Sequence, residues 1–168
     1  PRTAEFSLDL ATINFNDRGT RVAALPSSGY GITWSRPNAN SLLTRTSVFR
    51  RFIAAASPVG GLETVSLSQS ADEFEPDLAP LTGGAFASIW TGDDASGSKG
   101  IGLRVYRPNG VATGLGEFAN SQRTGNQFGA TIAPVFSGQG FVVVWTSELA
   151  GGGSNLVLRL FVLPPGGL

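Results

Sequence analysis

An all-β fold built from three like units is what this sequence predicts, and three observations predict it. The phrase SGQGFVVVWT at 137–146 recurs as TGGAFASIWT at 82–91 and as PSSGYGITWS at 26–35. Its tryptophans, Trp34, Trp90 and Trp145, are therefore one position met three times, each four residues after an aromatic (Tyr30, Phe86, Phe141). Self-similarity at such a period marks a repeat architecture. No window sustains a 3.6-residue apolar period, and the 23 glycines fall mostly between apolar runs, as tight strand connections require.

The strands follow in order. In the first unit they are expected at 5–11 (EFSLDLA), 21–25 (RVAAL), 30–34 and 42–53, with AAASPVGG turning the chain. The second unit repeats them at 63–68, 77–81 (DLAPL), 85–90 and 101–106, where Asn109-Gly110 marks a tight turn. The third has 117–121, 131–135, 140–145 and 155–162, and Pro164-Pro165 stops further pairing. This makes one domain of three repeats, about 5–60, 61–116 and 117–168.

Twelve strands in three groups of four predict β-propeller blades, with the β-trefoil as the alternative. Strand two of each unit is short and alanine-rich (VAAL, LAPL, IAPV), as suits the crowded strand at a propeller's axis. Strand three is the most apolar, as a strand covered on both faces should be. If strand two is innermost, each blade takes its outer strand from the start of the next unit. The chain then begins with a spare outer strand and ends with a blade lacking one.

Composition narrows the function. Twelve basic and twelve acidic residues balance to zero, so no footprint for nucleic acid is present. No apolar run approaches the roughly 20 residues of a helical membrane span. With no histidine and no cysteine, zinc fingers, Ser–His–Asp and Cys–His nucleophiles and disulfide frameworks are excluded. The start at Pro1 and the low-charge, Gly/Ser/Thr/Asn-rich composition are expected of a mature or processed piece of a secreted protein.

GGAFASIWTGDDASGSKGIGLRVYRPNG at 83–110 and SGQGFVVVWTSELAGGGSNLVLRLFVLPPG at 137–166 resemble Gly/Trp tandem repeats of large secreted or surface bacterial proteins. Those proteins often also carry RTX-type or cadherin-like modules. The resemblance covers nearly the whole chain and is weaker in the first unit, where the loop after Trp34 is longer and lacks acids. It implies a propeller-like fold and an extracellular or cell-surface setting, and no single activity.

An arginine precedes the closing turn of each unit: Arg50, Arg104 and Arg159. Glu63 and Glu117 each follow their arginine by 13 residues, a spacing that would let them face it across a hairpin. Arg159 has no such partner downstream, and Glu5 is the equivalent acid left over. Closure of Arg159 on Glu5, within one chain or between two copies forming a six-bladed ring, is the expectation.

The candidate sites each have a plainer reading. Trp34, Trp90 and Trp145 are candidates for stacking on sugar, against core packing. Asp93 and Asp94, in the oxygen-rich loop TGDDASGSKG, are the candidates for calcium. Asp72, Glu73, Glu75 and Asp77 form the densest acidic run. A run along one loop does not supply the opposed carboxylates of a glycosidase, and solvated surface charge is the expectation. The sequence therefore predicts no catalytic machinery and no cofactor. It predicts a structural or adhesive module that self-associates or joins a larger assembly, with a lectin-like carbohydrate-binding module as the alternative.

Overall fold

The computed structural model describes residues 17–25, 29–38, 41–53, 57–65, 72–114 and 117–164. The expected strand at 5–11, with Glu5, lies outside them. Among the described residues eleven strands form three antiparallel sheets. The first sheet is β1 (Arg18–Leu25), β2 (Gly29–Asn38), β3 (Ser41–Ile53) and β4 (Pro58–Thr64), in that order. The second is β5 (Phe74–Pro80), β6 (Phe86–Asp93), β7 (Lys99–Tyr106) and β8 (Glu117–Phe118). The third is β9 (Gln127–Val135), β10 (Gly140–Glu148) and β11 (Ser154–Val162). As expected, the outer strand β8 comes from the start of the following unit; β4 straddles the boundary, opening at Pro58 inside the expected turn and ending at Thr64, just inside the strand expected at 63–68. The third sheet has no fourth strand among the described residues.

The sheets stack face to face, which distinguishes propeller blades from the hairpin-capped barrel of a trefoil. Between the first and second, Leu25, Phe49, Val65, Leu78, Phe86 and Tyr106 form one core. Its rings stack as a column, Phe49 on Phe86 at 4.4 Å and Phe86 on Tyr106 at 4.7 Å. Between the second and third, Ala79, Ile89, Ile101 and Leu103 meet Ile132, Phe141, Val143 and Trp145. The alanines of strand two let the inner strands approach closely, and β5 lies against both β1 and β9.

Facing of the arginines and glutamates is changed by the ladders. A register shift between Phe49 and Arg51 puts Glu63 opposite Phe49. Glu63 therefore meets Arg51, at 3.8 Å, while the Arg50 guanidinium lies over Phe52 at 6.0 Å. Burial raises the Glu63 carboxyl above its ordinary value, opposed by the Arg51 charge. In the second sheet Glu117 faces Leu103, one residue from Arg104, and a one-residue offset turns a side chain to the other face. Arg104 donates instead to the Val65 carbonyl at 3.4 Å. Arg159 donates to the Ala119 carbonyl at 2.8 Å and covers the Phe161 ring at 4.9 Å, inside the seam of the second and third sheets.

Candidate active site

The three inner strands open on equivalent residues: Asp17-Arg18-Gly19-Thr20-Arg21, Glu73-Phe74-Glu75-Pro76-Asp77 and Gln127-Phe128-Gly129-Ala130-Thr131. Each pairs with its neighbour through a register shift at this point, between Arg18 and Arg21, between Phe74 and Asp77, and opposite Val144–Thr146. Such bulges re-aim side chains. The third position is left-handed in every unit, with φ of 65° at Gly19, 53° at Glu75 and 63° at Gly129. Two units meet that demand with glycine; the second places a glutamate there, at a cost of about 1–2 kcal/mol. Backbone strain of this kind gathers where a side chain has a task.

Glu75 and Asp77 both reach across the seam to the third sheet. Glu75 is exposed, and its Oε2 accepts hydrogen bonds from Thr91 Oγ1 and the Gly129 amide, each at 3.0 Å. Among the described residues its Oε1 accepts none. Asp77 is half-buried and held at both oxygens. Its Oδ1 accepts from the Leu78 amide at 2.9 Å; its Oδ2 accepts from Thr131 Oγ1 at 3.0 Å and the Ile132 amide at 3.2 Å. On the other side, Gly19 leaves room beside the bulge, its missing Cβ falling 3.6 Å from Pro76 Cδ. Two carboxylates two residues apart thus stand at the seam, one fixed and one with an open oxygen.

The rest of the acidic run is held in specific surroundings rather than standing as free surface charge. Glu73 is 3% exposed, next to the Trp90 indole. Asp72 takes three hydrogen bonds from Arg45, from its amide, Nε and Nη2, at 3.0, 2.8 and 2.7 Å. These hold the Asp72 carboxyl below its ordinary value of 3.8, against the opposing effect of burial. The folded state therefore prefers the ionised form. Its stabilisation is complete above the unfolded pKa and is lost as pH falls below about 3.8 through the folded value. Asp72→Asn should accordingly flatten the acid limb of a pH–stability curve and cost no more than about 1 kcal/mol at neutral pH, as the pair is partly exposed. Urea melts from pH 2 to pH 7 would measure both.

The other sequence candidates are buried or held in local contacts. Trp34, Trp90 and Trp145 are 3%, 2% and 4% exposed and offer no open ring face to a sugar. Asp93 pairs with Lys99 and accepts from the Asp72 amide at 3.1 Å. Asp94 Oδ1 organises its own loop, accepting from the amide and hydroxyl of Ser96 and the amide of Ser98. Burial disfavours the charged Asp94, but these bonds and the Arg123 charge hold its pKa below 3.8. Among the described residues no three acidic side chains gather as a metal group would require.

No family model matches the sequence, and no curated protein is similar enough to count as a relative. Solved structures do match the fold. An endo-arabinase from Bacteroides thetaiotaomicron VPI-5482 superposes with a TM-score of 0.61 at 12% identity, over 92% of this chain and 59% of the enzyme. An α-L-arabinanase of Penicillium chrysogenum, solved with arabinobiose, gives 0.58 at 14% identity, over 86% of this chain and 42% of its own. A thermostable family-43 glycoside hydrolase gives 0.55 at 12% identity, over 90% of this chain and 60% of its own. The chain thus spans about 40–60% of the length of these structures. At such identities the likeness is one of fold, and the fold is of the propeller type.

These neighbours correct the expectation of a non-catalytic, adhesive module with no enzymatic role. The architecture is one that glycoside hydrolases use. The second half of the acidic run, Glu75 and Asp77, sits on an inner strand, because β5 begins at Phe74 rather than at Asp77, while Asp72 and Glu73 precede it. Its bulge breaks the alternation that would have announced it. The signal that could have found the site is the alignment itself, a glutamate standing where the other two units have glycine. No helix among the described residues is long and apolar enough to cross a membrane.

Proposed function

We propose that the chain belongs to an extracellular carbohydrate-active propeller that hydrolyses glycosidic bonds, with Glu75 and Asp77 as its acidic pair. The observation that carries this reading is the left-handed Glu75 in a glycine position, beside a second, fixed carboxylate. Glycoside hydrolysis needs one carboxyl to protonate the leaving oxygen and a second to activate water or attack the sugar carbon. Glu75, exposed and with Oε1 open, is the proton-transfer group. Asp77 holds its negative charge in a fixed place, oriented by the Leu78 and Ile132 amides and the Thr131 hydroxyl.

The proposed substrate class is the one that two of the neighbours' names carry, arabinan and its oligosaccharides. The test is incubation of the chain with linear arabinan, following new reducing ends, together with calorimetric titration of arabinobiose. Release of arabino-oligosaccharides is expected. Absence of both hydrolysis and binding would overturn the reading.

A further inference from the structure

β7 ends at Tyr106, and the chain then turns on Arg107-Pro108-Asn109-Gly110. The Gly110 amide closes the turn by donating to the Arg107 carbonyl at 2.9 Å, and the Arg107 amide donates to the Val111 carbonyl at 2.9 Å. Arg51 of the first sheet reaches over to this turn. Its Nη1 donates to the Pro108 carbonyl at 2.7 Å and its Nη2 to the Asn109 carbonyl at 3.1 Å, while Glu63 stands 3.8 Å from the same Nη2. One guanidinium thus ties the first sheet to a turn of the second.

Asn109 is exposed, and it is the one asparagine of the sequence that a glycine follows. Glycine has no Cβ to shield its amide nitrogen, so that nitrogen can close on the preceding carboxamide. The Asn109 side chain is already folded along the chain, its Oδ1 accepting from the Val111 amide at 3.0 Å. The same amide is placed to hold the oxyanion that attack on Cγ creates, as preorganised donors do. Asn120, followed by Ser121, is the contrast. It is 3% exposed, its Nδ2 donates to the Gln122 carbonyl and to Gln127 Oε1, and its Oδ1 accepts from the Ile101 amide.

We infer that Asn109 is a deamidation site of the folded chain and that Arg51 sets its rate. Base takes the Gly110 amide proton, and the nitrogen forms a bond to Asn109 Cγ. The bond from Cγ to Nδ2 breaks, ammonia leaves with a proton returned by the base, and a succinimide ring joins the two residues. Water then opens the ring at either carbonyl, leaving aspartate or isoaspartate. Ring closure needs the Gly110 amide free of the Arg107 carbonyl and the Asn109 carbonyl free to rotate. Arg51 restrains both by holding the carbonyls of Pro108 and Asn109, so the reaction proceeds through local opening of this turn. Either product adds a negative charge beside the Arg51–Glu63 pair, and isoaspartate also lengthens the backbone by a carbon.

The test is peptide mapping by mass spectrometry of the whole chain, held at mildly alkaline pH, for the wild type and Arg51→Ala. Circular dichroism verifies that both are folded at the start. The wild type should convert at Asn109, with the mass gain of an amide-to-acid exchange, and keep Asn120 intact. Arg51→Ala should convert several-fold faster, at Asn109 alone. Should that variant misfold, Arg51→Lys keeps the charge without the fork that spans both carbonyls, and it too should convert faster. A wild type unmodified at Asn109 overturns the site. Equal rates in wild type and variant, or equal acceleration at Asn120, overturn the control by Arg51.

Discussion

Gly102→Ala should destabilise the protein by about 3 kcal/mol or more, a drop in melting temperature of roughly 6–12 °C. Gly102 faces Trp90 across the β6–β7 ladder, and the indole lies flat over it. A Cβ at Gly102 would fall 2.2 Å from Trp90 Cε2 and 2.5 Å from Cζ2 and Nε1. The ring cannot move aside, because it is 2% exposed with Gly92 and Glu73 against it. The other tryptophans face β-branched partners, Trp34 opposite Val48 and Trp145 opposite Val157. Val157→Ala should therefore cost only about 1 kcal/mol, and comparing the two variants by thermal melting isolates the overlap at Gly102.

Glu75→Gln should lower the rate of arabinan hydrolysis by about 100- to 10,000-fold, the usual worth of a positioned proton-transfer group. Glutamine keeps the acceptor oxygen that Thr91 Oγ1 and the Gly129 amide bind, so the local structure should survive. What it removes is the exchangeable proton. Initial rates of reducing-end release, with circular dichroism of both proteins, measure the loss and control for misfolding. An unchanged rate would assign the chemistry elsewhere.

The three tryptophans and their glycine turns were enough to place the blades, including the exchange of outer strands between units. That was legible because the strand-three phrase keeps a glycine turn, an aromatic and, four residues later, a tryptophan in each unit. The arginine–glutamate facing was not, since the bulge near Phe49 passes the contact from Arg50 to Arg51 and leaves no residue-type signature. The carboxylate pair was hidden for a related reason. Glu75 and Asp77 are held largely by backbone amides, those of Gly129, Leu78 and Ile132, which any sequence supplies. Reading the run as loop charge then followed from strand starts placed three or four residues late.

The proposed chemistry would explain why Glu75 is held in a left-handed conformation. The most direct test is Glu75→Gly, measured for melting temperature and arabinan hydrolysis beside the wild type. Glycine is what the other two units carry at this position, and it relieves about 1 kcal/mol of left-handed strain while giving up two hydrogen bonds. The expected result is a folded protein melting within roughly 4 °C of the wild type, with hydrolysis abolished. A variant that hydrolyses arabinan as fast as the wild type, or one that fails to fold, would contradict it and make Glu75 a structural residue.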